Sequence, residues 1–154
     1  MTQITEPGFS IELPGEWQQA ESDQPGTLVY LETNGVGTLT VMLLAVNPMY
    51  AIADRQRLLT DYMQHRAKFE TGRQPLLQQS DQVSGDVGDS VEGSWSAIDE
   101  SSDLRQLHRV VLANDILADF CYEALGLGED EFAELAIPIL DNATVGIQDL
   151  DESV

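Results

Sequence analysis

A chain of 154 residues with 27 Asp plus Glu against 7 Lys plus Arg carries a formal charge of −20. Apolar residues make up 42% and the mean hydropathy is −0.17, which is too apolar for disorder, and the length suits one domain burying about two-thirds of its unfolded surface. The charge excludes a general nucleic-acid binder, which needs clustered Lys and Arg to displace counterions, and it disfavours anionic membranes.

Residues 1–154 therefore read as a single domain, with an acidic tail over residues 148–154 that is expected to fray. Five of the seven basic residues (Arg55, Arg57, Arg66, Lys68, Arg73) fall within 19 positions, which leaves the rest of the surface acidic. Solubility in a salt-rich cytoplasm explains such a surface, and so does steering toward a basic partner. Cys121 is the only cysteine, so neither an internal disulfide nor a cysteine-based zinc site is expected. The N-terminus carries no signal-peptide pattern and no run is long enough to span a bilayer, so the expected location is cytoplasmic.

In chain order, Phe9 to Leu13 alternates apolar and polar residues and stops at Pro14-Gly15, the pattern of a short strand and a turn. Residues 27–33 and 37–46 read as a hairpin around Asn34-Gly35, a pair suited to positive φ in a tight turn. The second of these strands is apolar on both faces and should be central. Asn47-Pro48 suits a helix start, and Ile52, Leu58, Leu59, Tyr62, Met63 and Phe69 form one stripe that Gly72 and Pro75 end. On the opposite face Arg57 and Asp61 stand four apart and can pair across solvent. Residues 76–83, 90–99, 104–113 and 116–125 return to a period of two and predict an antiparallel meander. A two-residue turn at Asn114-Asp115 sets the register of its last pair: Ala113 opposite Ile116, Arg109 opposite Phe120, and His108 opposite Cys121. After Gly128 and three acidic residues, Phe132, Leu135, Ala136, Ile139, Leu140 and Ala143 recur at helical spacing. Pro138 within that stripe predicts a kink or a later start.

Strands grouped between helices predict an α+β fold, an antiparallel sheet of about six to seven strands with helices on its faces. The opening Phe9, Ile11, Leu13, Pro14, Gly15 and Trp17 resembles the start of PsbP-like proteins. That superfamily includes the photosystem II extrinsic protein P, the Ran-binding nuclear-import factor, DcrB-like lipoproteins and chaperones of type VI secretion effectors. The resemblance implies an antiparallel sheet between helical layers and action through binding, without a shared catalytic centre. The stretch from Phe132 to Thr144 is similar to the superfamily's last helix.

Among residues able to carry chemistry, His108 beside Cys121 with Asp119 on the same face has the composition of a nucleophilic centre, since imidazole deprotonates a thiol and a carboxylate orients imidazole. Packing is the alternative for a single small Cys and a strand His. The only other histidine, His65, is on a different element, so no metal pair forms. The segment from Asp81 to Asp89 has a superficial calcium-loop composition but lacks the ligand spacing and closing Glu. No glycine pattern holds a phosphate, and no cofactor is expected. Arg109, placed on an apolar face, requires a carboxylate, an aromatic ring or an anion. Trp17 and Trp95 suit either the core or exposed anchors.

These readings predict a non-catalytic adaptor or chaperone that holds another protein, with Asp86, Asp89, Glu92, Asp99, Glu100 and Asp103 as its partner-binding acids. The alternatives are an immunity protein against a basic toxin, for which the charge provides steering, and a small cysteine-dependent enzyme.

Overall fold

The computed structural model describes residues 1–33, 35–46, 55–71, 77–83, 89–99, 102–113 and 115–145. In chain order these form β1 (Thr2–Glu6), β2 (Phe9–Leu13), β3 (Trp17–Ala20), β4 (Thr27–Glu32), β5 (Thr38–Ala45), α1 (Arg55–Thr71), β6 (Leu77–Val83), β7 (Asp89–Asp99), β8 (Leu104–Ala113), β9 (Ile116–Leu125), α2 (Glu129–Asp141) and β10 (Thr144–Val145). A seven-stranded antiparallel sheet in the order β3-β4-β5-β9-β8-β7-β6 divides the molecule. The α+β expectation stands, and β5 is central between β4 and β9. One layer differs from two simple helical covers: a three-stranded sheet, β1-β2-β10, shares one face with α2.

Side chains alternate across a strand, so this sheet feeds two separate cores. On one face Leu39, Val41, Phe120 and Tyr122 meet Phe9, Ile11 and Leu13 of β2 and Phe132, Ala136, Ile139 and Leu140 of α2. The rings of Phe9 and Phe120 meet edge to face at 5.6 Å. On the other face Leu59 and Met63 of α1 pack on Val91, Trp95, Val110, Leu112 and Leu117. The expected helical stripe thus lies on the sheet through Leu58, Leu59, Tyr62 and Met63. Its expected start at Asn47-Pro48 and Ile52 falls outside the described residues. Arg57 and Asp61 come within 4.0 Å on the exposed side of α1.

The β8–β9 register is the one the turn predicts, with Ala113 opposite Ile116 and His108 opposite Cys121. The β4–β5 hairpin forms, but not around a two-residue turn. Glu32 N–H bonds the Gly37 carbonyl at 3.1 Å, and Thr33 N–H is diverted to the Glu16 carbonyl at 2.9 Å, so the connection is longer. Asn34 lies outside the described residues. Gly37 is required for packing, because a Cβ there would stand 2.5 Å from the Tyr122 hydroxyl. α2 starts directly after Gly128 and runs unbroken through Pro138. Both Pro138 and Glu134, whose carbonyl loses its donor, are exposed, so water satisfies the gap. Among the described residues no helix is long and apolar enough to cross a membrane.

Candidate functional site

Four polar side chains from three elements meet under α1. His108 on β8 and Asp119 on β9 are diagonal neighbours across the ladder, because Val110 faces Asp119 and His108 faces Cys121. Their side chains join, Nδ1 to Oδ1, at 2.9 Å. From above, the Tyr62 hydroxyl donates to Asp119 Oδ2 at 2.7 Å, and Arg66 Nε stands 3.9 Å from the same oxygen. One carboxylate therefore joins the sheet to two consecutive turns of α1. Burial and the adjacent Asp119 charge raise the Tyr62 pKa well above the usual phenol range, which keeps the hydroxyl a donor.

Trp95 lies flat on the His108 ring, with centroids 3.7 Å apart and planes 11° from parallel. The Asp119 carboxylate accepts, so His108 Nδ1 is the donor of that bond. Within the described residues neither His108 Nε2 nor Trp95 Nε1 has a hydrogen-bond partner. The sequence expectation thus brings His108, Asp119 and Cys121 onto one face as anticipated. His108 and Asp119 are 1% and 2% exposed and Cys121 is buried, so no substrate reaches them in this arrangement. Here the carboxylate and imidazole work as a strut. Tyr62 and Arg66 were not singled out by the sequence. A phenol at the margin of an apolar stripe, with a cation one turn on, was the available signal. Among the described residues no three His, Cys, Asp or Glu side chains group to hold a metal.

Arg109 is settled on the opposite face. Its Nη2 donates to Glu92 Oε1 at 2.8 Å, and its Nη1 donates to the carbonyls of Leu140 and Ala143 at 2.8 and 2.9 Å. α2 has no basic residue in its last turn. Arg109 supplies that positive charge from the sheet, against the negative end of the helix dipole. Trp17 and Trp95 both take the core reading.

Of the six acids expected to bind a partner, the four described ones are spread along β7 and the turn that follows it. Asp86 and Glu100 lie outside the described residues. Asp89 and Asp99 stand at opposite ends of β7, about 30 Å apart at strand rise. Glu92 is engaged by Arg109, while Asp103 occupies an exposed turn at φ 59°. Of the calcium-like segment, Asp81 stands opposite Val91 in the β6–β7 ladder and Asp89 opposite Val83, and residues 84–88 lie outside the described residues.

A different surface stands out on the α1 side of the sheet. α1 packs on β6, β7 and β8. Thr38, Thr40, Met42 and Leu44 of β5 share that side with Asp119 and Cys121, and Val29 and Leu31 of β4 continue it. Leu31 and Leu44 are 45% and 41% exposed, and Val29 and Met42 are half-buried. The Tyr62 hydroxyl reaches within 3.8 Å of Met42 Sδ, so the strut borders this half-open floor.

No protein-family model and no curated protein matches this sequence. Solved structures do. The solution structure of cyanobacterial PsbP from Synechocystis sp. PCC 6803 superposes with a TM-score of 0.68 at 11% identity, covering 94% of this chain and 92% of that one. A protein from Bacteroides thetaiotaomicron VPI-5482 gives 0.57 at 16% identity over 96% of this chain, which spans about half (49%) of that longer one. The fold is PsbP-like.

Proposed function

We propose that this chain is a non-catalytic binding module of adaptor or chaperone type, working in the cytoplasm and holding another protein on the α1 side of its sheet. The observation that carries the reading is the exposure of Leu31 and Leu44 beside half-buried Val29 and Met42. Seven strands at about 4.8 Å spacing make a face about 34 Å wide, and among the described residues one helix about 10 Å across covers a third of it. An apolar strip on a chain otherwise so strongly charged favours an interaction surface. The closed state of His108, Asp119 and Cys121 is the second support, since it assigns the reactive groups to the interior.

Site-specific photo-crosslinking tests this. A photoreactive residue at position 31 or 44 should trap one defined partner in host lysate, and the same residue at exposed Leu135 on α2 should not. Leu44→Glu should abolish trapping from position 31. Equal trapping at positions 31 and 135 would sink the reading. The net charge also favours a second version, in which the partner is a basic toxin and the chain its immunity protein. There the association rate should fall steeply with salt, whereas a client gripped through apolar contacts should respond little. Asp89, Asp99 and Asp103 are the acids to reverse in that comparison.

A further inference from the structure

β3 is an outermost strand of the seven-stranded sheet, and the ladder fixes which of its main-chain groups are already used. Thr33 N–H bonds the Glu16 carbonyl, and bonded and non-bonded pairs alternate along an antiparallel ladder. Gln18 and Ala20 are therefore bonded to Leu31 and Val29. Trp17 and Gln19, opposite Glu32 and Tyr30, turn their N–H and C=O groups away from β4. The β4–β5 pairing agrees: Glu32 N–H bonds Gly37, and Leu43 N–H bonds Gly26, which commits Glu32, Tyr30 and Leu28 to β5. Among the described residues nothing pairs with the outer side of β3.

Exposed strand edges are ordinarily defended by lysine, proline or a bulge. The Trp-Gln-Gln-Ala sequence of β3 offers none of these, and the Trp17 Nε1–H bond to the Pro14 carbonyl at 2.8 Å pins its first residue. Ala20 faces Val29, so β3 stops before it reaches Thr27 and Leu28. Those two residues, with Gln19, Ala20, Glu21, Ser22 and Asp23, line a hollow of about 580 Å³ that continues the edge. Glu16, Glu21 and Asp23 are exposed along it.

We propose that this edge accepts an extended segment of a basic partner protein as an eighth strand. Four outward main-chain groups give it register, and lysine or arginine on the incoming strand meets Glu16, Glu21 and Asp23. A second copy of this chain is the wrong occupant, because two chains of −20 would bring the same three carboxylates together. The inference goes beyond the proposed sheet-face site, because it rests on backbone groups of β3 that the face does not use.

Titration of the ¹⁵N-labelled protein with a Lys-Val-Lys-Val-Lys-Val peptide tests it, with Glu-Val-Glu-Val-Glu-Val as control. The basic peptide should protect the amides of Trp17 and Gln19 from solvent exchange and leave Gln18, already in the ladder, unchanged. Combined Glu16→Lys, Glu21→Lys and Asp23→Lys should weaken binding about tenfold. Gln19→Pro deletes an outward donor without touching the β4 ladder and should weaken it similarly. Should the proline variant fail to fold, the triple charge variant, whose side chains are all exposed, still decides. Leu31→Glu, which would empty the sheet-face site, should leave the protection pattern intact. Absence of binding, binding without protection at Trp17 and Gln19, or full affinity in the triple variant overturns the proposal.

Discussion

Asp119 takes His108 on one carboxylate oxygen and leaves the other to α1, so a single side chain on β9 holds a neighbouring strand and a helix together. Because the carboxylate is buried, its net value is small compared with the cost of breaking it. Tyr62→Phe should cost about 1–3 kcal/mol, the penalty of leaving a buried acceptor unmatched. Asp119→Ala should cost about 3–5 kcal/mol, because it strands donors on both elements. Urea unfolding followed by far-UV circular dichroism measures both, and equal costs for the two variants would refute the shared-carboxylate description.

Arg109 makes three bonds that no lysine can reproduce together, since only a planar fork reaches Glu92 and two carbonyls at once. Arg109→Met should therefore lower stability by about 3–5 kcal/mol, since it leaves Glu92 unpaired and the α2 terminus uncapped. Arg109→Lys should recover less than half of that loss in the same urea assay. Full recovery would mean that charge alone matters there.

Burial raises the Tyr30 pKa to about 12 with help from Glu6, and the Tyr122 pKa to about 12 with help from Glu32. An unfolded tyrosine ionises near pH 10. Each folded phenol thus binds its proton more tightly than the unfolded one, so its contribution to stability is complete below about pH 10 and disappears as pH rises through about 12. Unfolding free energy should fall across that window, and tyrosinate absorbance at pH 11 should be far lower in native than in guanidinium-unfolded protein. A native titration indistinguishable from the unfolded one would contradict this.

Gly37→Ala should push the Tyr122 ring from its place against Trp17 and Phe132, whose centroids lie 6.3 and 5.7 Å away. Overpacking of that kind costs about 1–3 kcal/mol. A change in tryptophan fluorescence should accompany the loss, and Tyr122→Leu should relieve it.

Much of this arrangement is legible in the residues, and the gaps have physical causes. The β8–β9 register follows from one two-residue turn, which fixes side-chain parity and thereby the adjacency of His108 and Cys121. β1, β3 and β10 escape notice because edge strands need no apolar face: Thr2–Glu6 has one buried apolar side chain, Ile4, and Thr144–Val145 is only two residues long. Helical periodicity shows that Tyr62 turns toward the sheet, but not how far along the sheet α1 lies, so its meeting with Asp119 is a tertiary fact. Arg109 is the reverse case, since an arginine on an apolar face announces a partner before any coordinates exist.

The two interiors lie back to back, divided by a single thickness of backbone, with α1 roofing one and α2 with β2 closing the other. Damage on one side need not propagate to its twin. A chain built this way can shed α1 as a cooperative unit while the Phe9–Phe120 compartment stays shut, which gives amide exchange two tiers of opening energy in place of one.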